Sequence, residues 1–317
     1  MAQRLLRSIP GNCALWRKVV ASVRAEGVPN RGVPGTDRGR AMRLPRFPAA
    51  LAGAAALLLA ATGPAIAIID GTTDTTGRFP NVGGLQLQSG GEWFDFCSGT
   101  LVAPDVVLTA AHCTDFFTGE VGDEDALGPD DWRISFEADP DDDSTYYYAD
   151  HFVIHPDWLA NEVGPGGGNS KMSFLKAGLE DIALVYLTEE VVGVTPAPVA
   201  DAGYLDELDL TSETFTVVGY GTDEFVTGSV VSPMAITVYD GARSYMDVSV
   251  ITSQDLFPDR FVKITKSVCF GDSGGPMFHE GTIVALNTWT FSYRCDGPNL
   301  QYRVDSEPAQ EFLDANL

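Results

Sequence analysis

Ser273 stands in Gly271-Asp272-Ser273-Gly274-Gly275-Pro276, a hydroxyl set among glycines just before a β-type run. A serine attacks a carbonyl only when a base takes its proton and backbone N–H groups hold the oxyanion that forms. Glycines permit the tight backbone that such donors need. The same letters satisfy G-x-S-x-G, the nucleophile turn of a different, α/β architecture, so chain order has to choose. The α/β order places the histidine last, yet His279 follows the serine by six residues with no acid between them. The opposite order, His then Asp then Ser, needs an upstream histidine, and His112, His151 and His155 are available. His112, in Thr109-Ala110-Ala111-His112-Cys113, follows an apolar strand and adjoins a cysteine able to fix its position. His151 and His155 flank another strand and read as surface or packing residues.

The elements that must position these groups are short. Apolar stretches bounded by Gly, Pro, Asn and Asp occur at Val106-Val107-Leu108, Phe152-Val153-Ile154, Ile182 to Leu187, Phe215 to Val218, Val230-Val231, Ala235 to Val238, Phe261 to Ile264 and Ile283 to Leu286. Strands of that length with turn signals between them predict an all-β barrel or sandwich. One helix is expected, at the C-terminus, capped by Ser306 with Phe312 and Leu313 on one side. The acidic run from Glu120 to Asp150 and the glycine-rich Gly164-Pro165-Gly166-Gly167-Gly168 read as surface insertions.

Composition bounds the function. The 317 residues are 44% hydrophobic and 20% charged, enough for a core and too apolar for a disordered chain. The 33 glycines and 19 prolines show no period, which excludes collagen-like and solenoid folds. The net charge of −24 is unevenly spread, because residues 1–67 carry ten Lys and Arg but only Glu26 and Asp37. Residues 68–317 are left with ten basic and 42 acidic side chains, a net charge of −32. So acidic a surface repels phosphates, which argues against a nucleic acid or anionic-membrane partner.

The basic end is a targeting segment. Arg43 and Arg46 precede an uncharged run from Ala49 to Ala61, then Gly63-Pro64 and the small-x-small Ala65-Ile66-Ala67. That pattern predicts a secretory signal over residues 42–67 cleaved near Ala67, with residues 1–41 a dispensable or mis-assigned extension before Met42. A membrane anchor is the rival, but the run is mostly alanine and is broken by Gly63-Pro64. Export suits the cysteines, since Cys97, Cys113, Cys269 and Cys295 remain after Cys13 is removed with the extension. Four cysteines in an exported domain read as two disulfides with three connectivities open, and no pair has the C-x-x-C spacing of a zinc site.

Cys97-Ser98-Gly99-Thr100-Leu101-Val102 through Leu108-Thr109-Ala110-Ala111-His112-Cys113, then Asp181-Ile182-Ala183-Leu184, then the Ser273 segment, together resemble the chymotrypsin or trypsin-like serine proteases of the secreted bacterial type. Ile68-Ile69-Asp70-Gly71, His155-Pro156-Asp157-Trp158, Val218-Gly219-Tyr220-Gly221-Thr222 and Tyr302-Arg303-Val304-Asp305 support the likeness, in the family's order from Ile68 onward. The resemblance implies two six-stranded antiparallel β-barrels with a short C-terminal helix over residues 68–317. It implies an endopeptidase acting through an acyl-enzyme, with His112, Asp181 and Ser273 as catalytic residues and the N–H groups of Gly271 and Ser273 as the oxyanion hole. It pairs Cys97 with Cys113 and Cys269 with Cys295. It also makes the freed amine of Ile68 the partner of Asp272, so that signal cleavage itself would switch the protein on.

For the pocket that takes the residue before the scissile bond, P1, the resemblance implies Ser267 at the floor and Thr288, Trp289 and Thr290 on a wall. A serine floor favours a neutral or apolar P1 over Lys or Arg, Thr290 narrows the space, and a protruding Leu300 would narrow it further. No cofactor is implied. Calcium in the acidic loop, through Asp139, Asp141, Asp142 and Asp143, is weighed against a simple solvated charge run. The implied partners are protein or peptide substrates and proteinaceous inhibitors of a secreted monomer without a stable membrane anchor. A relative used only for binding is the competing class, set aside because the three catalytic residue types are all present.

Overall fold

The computed structural model describes residues 68–317 apart from 90, 116–127, 141–143, 161–178, 223–240, 253–257, 266–267 and 292–294. The expected signal, the glycine-rich insertion, Asp141 to Asp143 and Ser267 lie outside the described residues.

Two antiparallel sheets hold the described strands. The first is a closed barrel in the order β2-β3-β4-β7-β6-β5, built from β2 (Val82–Ser89), β3 (Glu92–Ala103), β4 (Val106–Thr109), β5 (Trp132–Ser135), β6 (Tyr147–Ile154) and β7 (Ala183–Leu187). The second sheet runs β1-β9-β8-β11-β12-β13-β10, from β1 (Thr72–Thr73), β8 (Phe215–Gly219), β9 (Ser244–Val248), β10 (Phe261–Ile264), β11 (Pro276–His279), β12 (Thr282–Thr290) and β13 (Asn299–Arg303). It has seven strands where a second closed six-stranded barrel was expected. The seventh is β1, which pairs only through Thr72↔Tyr245 and Thr73↔Ser244. A single antiparallel bridge, Val250↔Ile264, joins the segment after β9 to β10 at the far edge.

The apolar stretches read from sequence lie in strands wherever the structure describes them, while Val230-Val231 and Ala235 to Val238 fall outside the described residues. All four residues of β4 are buried, as are Ala183, Leu184, Val185 and Leu187 of β7. The acidic stretch from Glu120 to Asp150 is not one surface insertion, because β5 and the start of β6 lie within it. Trp132, Ile134 and Ala149 carry those strands into the barrel core while the charged residues between them face outward. The reading of charge as loop overlooked this two-residue alternation.

Among the described residues the α-helices are α1 (Ala111–Asp115), α2 (Pro156–Ala160) and α3 (Glu307–Asn316). The C-terminal α3 buries Ala309, Phe312 and Leu313, as the sequence predicts. Ser306 occupies its N-cap, but the hydroxyl donates back to the carbonyl of Arg303 at 3.0 Å rather than capping a helix N–H.

Candidate active site

The register of the first barrel delivers the histidine and the aspartate to one place. β4 and β7 are antiparallel with Thr109 opposite Ala183, so the chain just after β4 meets the chain just before β7. His112 lies on α1, the single turn after β4, and Asp181 lies two residues before β7. Asp181, fully buried, accepts the His112 backbone N–H at Oδ1 (2.9 Å) and pairs with Nδ1 of the ring at Oδ2 (2.7 Å). A carboxylate accepts only, so Nδ1 carries the proton and Nε2 is left free to accept one. The adjacent Glu180 is held by Arg260 Nε at 2.8 Å and by the Tyr302 hydroxyl at 2.6 Å, both from the second sheet's side.

Burial pulls the His112 pKa down, but the charge of Asp181 and its hydrogen bond outweigh this and raise it above the ordinary 6.5. The ring keeps 27% of its side-chain surface exposed, so it can reach a substrate. Trp158 on α2 and Trp289 on β12 flank it, with ring centroids 6.5 and 6.4 Å away.

The serine is delivered by the loop between Val268 and β11. Its carbonyl accepts the Ser98 N–H at 2.7 Å, and Cys113 Sγ lies 3.6 Å from the same oxygen. Ser98 is doubly engaged, because its hydroxyl donates to the Gly271 carbonyl at 2.8 Å and accepts the Tyr220 N–H at 3.0 Å. Gly274, at φ +77°, passes Ser98 of β3 and the end of β4 so closely that an added Cβ would collide with Thr109 Oγ1. Only glycine fits both the left-handed backbone and this crossing. Gly271 is also left-handed, at φ +93°. Among the described residues, neither the Gly271 nor the Ser273 N–H donates to a backbone carbonyl outside a strand or helix.

Asp272 is fully buried and accepts N–H groups from Gly221 (2.9 Å) and Cys269 (2.8 Å). Ile68 is wholly buried, and Ile69 packs with Cys269, Cys295 and Phe270 on the flank of the same loop. The sulfurs are joined Cys97–Cys113 and Cys269–Cys295. The ligand atoms of Cys97, His112 and Cys113 lie within 4.8 Å of one another, but a disulfide offers no thiolate to a metal.

Thr288 donates its hydroxyl to the Leu300 carbonyl at 3.0 Å. Leu300 does not protrude into the site. It is 5% exposed and belongs to the core cluster with Phe261, Tyr302 and Phe312, on the opposite face of β13 from Asn299 and Gln301. His155 packs its ring on Phe312 at 5.4 Å, and exposed His151 pairs with Asp150 and stacks on Tyr186, so neither joins the site. Ser98, Trp158 and Asn287 were not singled out from sequence, although Ser98 and Trp158 stand inside two of the segments that carried the resemblance.

A buried histidine–aspartate pair, with a serine's glycine turn held against the residue next to the histidine, fits a serine-type endopeptidase, a class of hydrolase that needs no cofactor. The Trypsin family profile matches residues 68–311, and the chain belongs to that family. Among its relatives is chymotrypsin-like elastase family member 1 of Bos taurus, 25% identical over 223 residues, covering 66% of this chain and 72% of the relative. Another is a chymotrypsin-like serine proteinase of Haliotis rufescens, 24% identical over 259 residues, covering 75% and 88%. The VesB protease of Vibrio cholerae has a similar fold, with a TM-score of 0.55 at 17% identity over 78% of this chain and 68% of that one. Human heparin binding protein does too, with a TM-score of 0.54 at 17% identity, covering 78% and 96%.

Proposed function

We propose that the protein is a secreted, monomeric endopeptidase that hydrolyses peptide bonds of proteins through an acyl-enzyme, with His112, Asp181 and Ser273 as its catalytic residues. The observation that carries this reading is the two-point hold of Asp181 on His112, which fixes both the ring's place and its tautomer. His112 Nε2 takes the Ser273 Oγ proton as the oxygen attacks the substrate carbonyl. The oxyanion accepts from the Gly271 and Ser273 N–H groups, and His112 then gives its proton to the leaving amine. Water, deprotonated by the same nitrogen, releases the acyl group and restores the serine. Covalent labelling by a fluorophosphonate tests the reading: the protein beginning at Ile68 should be labelled and Ser273→Ala should not. Absence of labelling in correctly processed protein would mean a binding module instead.

Cleavage after Ala67 by the export machinery is proposed as the switch. The Ile68-Ile69 segment already lies buried beside the Asp272 loop, and Ile68 sits at φ +65°. A β-branched residue in the left-handed region is unfavourable by about 1–3 kcal/mol. That torsion exists only while residue 67 is attached, so cutting there removes the strain and frees an amine for Asp272. N-terminal sequencing of secreted active protein should read Ile-Ile-Asp-Gly, and another start would overturn the scheme. An α-amino pKa near 8, raised by pairing, makes the active form complete below that value, and activity is lost as pH climbs through the raised one.

Two disulfides support an oxidising destination. Among the described residues no helix is long and apolar enough to cross a membrane. Proteinaceous inhibitors are the further partners proposed, and a neutral P1 residue is preferred over Lys or Arg.

A further inference from the structure

We propose that Asn287 is a positioning residue for the oxyanion: its carboxamide holds the peptide group that carries the Ser273 N–H and sets both the direction and the strength of that donor. This rests on the endopeptidase reading, in which the N–H groups of Gly271 and Ser273 receive the oxyanion, and it gives a task to a fully buried side chain outside the three catalytic residues. β11 and β12 are antiparallel with Pro276 opposite Leu286, so the next residue of β12, Asn287, falls beside Gly275 at the end of the serine turn. There it grips the chain on both sides of Ser273. Its carbonyl accepts the Gly274 N–H and its N–H donates to the Gly275 carbonyl, at 2.8 Å each. Its Nδ2 donates to the Asp272 carbonyl at 3.2 Å and to the Val218 carbonyl of β8 at 3.1 Å.

The Asp272 carbonyl and the Ser273 N–H belong to one peptide group. That group is planar and trans, so the two point in opposite directions, and a donor that fixes the carbonyl fixes the N–H. A hydrogen bond to the carbonyl also polarises the N–H into a stronger donor. The Gly275 N–H reaches the same oxygen at 3.0 Å from within the turn, and Asn287 adds a second hold from a strand outside it. The Gly271 N–H is arranged differently. The carbonyl of its peptide group, that of Phe270, accepts the Thr222 N–H at 3.0 Å, a bond between backbone atoms. Of the two oxyanion donors, the one on Ser273 is therefore the one held through a side chain.

The other end of the carboxamide points the same way. Among the described residues Asn287 Oδ1 has no hydrogen-bond partner, and the two bonds donated by Nδ2 identify which atom is the oxygen. A buried acceptor without a partner is unfavourable, so this carboxamide is a poor choice for stability alone. Its donor is what the turn uses. An apolar side chain of similar size would lose that donor and remove the orphaned oxygen with it, which separates the effect on the reaction from the effect on the fold.

The test uses the enzyme beginning at Ile68 and its variant Asn287→Leu, close to the carboxamide in size, with Asn287→Val as a second variant suited to a strand. Neither removes the two backbone bonds to Gly274 and Gly275. With a peptidyl anilide, kcat should fall by about tenfold while KM stays within about twofold. That is less than the loss on the order of 10²–10³ for a missing donor, because the N–H itself remains. A peptidyl trifluoromethyl ketone reports on the oxyanion directly: its carbonyl carbon bonds to Ser273 Oγ, the proton passes to His112, and the carbonyl oxygen becomes the oxyanion. Its dissociation constant should rise by the same factor as kcat falls, with Tm within about four degrees of native. A folded variant with native kcat, or one that loses kcat yet binds the ketone as the native enzyme does, would overturn the proposal. A measurement on the native enzyme stands whether or not the variants fold. When the adduct forms, the NMR signal of the Asn287 side-chain proton directed at Asp272 should move downfield, since the polarised peptide is a stronger acceptor. An unmoved signal would overturn the proposal as well. Native protein that resists fluorophosphonate would instead overturn the endopeptidase reading on which this one rests.

Discussion

Asp181→Asn is expected to lower kcat by about 10⁴ with little change in KM, the magnitude usual for losing the carboxylate of such a triad. The amide keeps the shape of the carboxylate but presents an NH₂ that donates toward His112 Nδ1. The ring then places its proton on Nε2, the nitrogen that has to receive one from Ser273. The pH profile gives a second readout. In the native protein Asp181 raises the His112 pKa above 6.5 despite burial. Activity is therefore present above that raised value and is lost as pH falls through it, because a protonated ring cannot act as a base. With the carboxylate gone, burial acts alone and the acid midpoint of kcat/KM should move to lower pH. An unchanged midpoint would mean that the ring does not titrate against Asp181.

Arg243→Ala should be the most destabilising of the single substitutions outside the site. Arg243 is 2% exposed and donates from Nε to Asp74 Oδ2 at 2.9 Å and from Nη1 to the Val82 carbonyl (3.1 Å), the Phe136 carbonyl (3.0 Å) and the Tyr220 hydroxyl (3.0 Å). It ties the segment after Ile68 to the first barrel and to the strand beside Asp272. Removing it leaves the carboxylate of Asp74 buried without a counter-charge, a loss of about 3–5 kcal/mol. For a domain of this size that is a fall in Tm of about ten degrees. Burial pushes the Asp74 pKa up, but the N–H groups of Arg78 and Phe79 together with Arg243 hold it below the ordinary 3.8. A depressed carboxylate contributes stability that is present above the unfolded value and is lost as pH falls through the folded one. Without Arg243 the folded value rises, so the deficit of the variant should be full at neutral pH and shrink toward pH 3. Calorimetry at the two pH values checks this, and a Tm within two degrees of native at pH 7 would refute it.

What could be read from the sequence was the chemistry whose residue types are rare. There are few histidines and cysteines, and their order in the chain leaves few arrangements. Strand-forming stretches such as Val106-Val107-Leu108 were legible because burial on both faces leaves an unbroken apolar run. β5 and β13 were not, since Trp132–Ser135 and Asn299–Arg303 place polar letters between buried ones. The place of Leu300 was illegible for a sharper reason. Whether it or its neighbours turn to the core depends on a one-residue register, and the shift between Asn287 and Trp289 leaves no mark in the letters. Ser98 was not legible because a lone serine between a cysteine and a glycine says nothing of the bonds it makes to Gly271, Ser273 and Tyr220.

Those bonds have a consequence for how the molecule fails. Ser98 belongs to the barrel that carries the histidine, yet it clasps both ends of the Gly271–Ser273 turn from across the cleft. Prising the halves apart therefore releases the turn at the same moment. A molecule that comes apart along this seam is therefore expected to disarm itself as it opens.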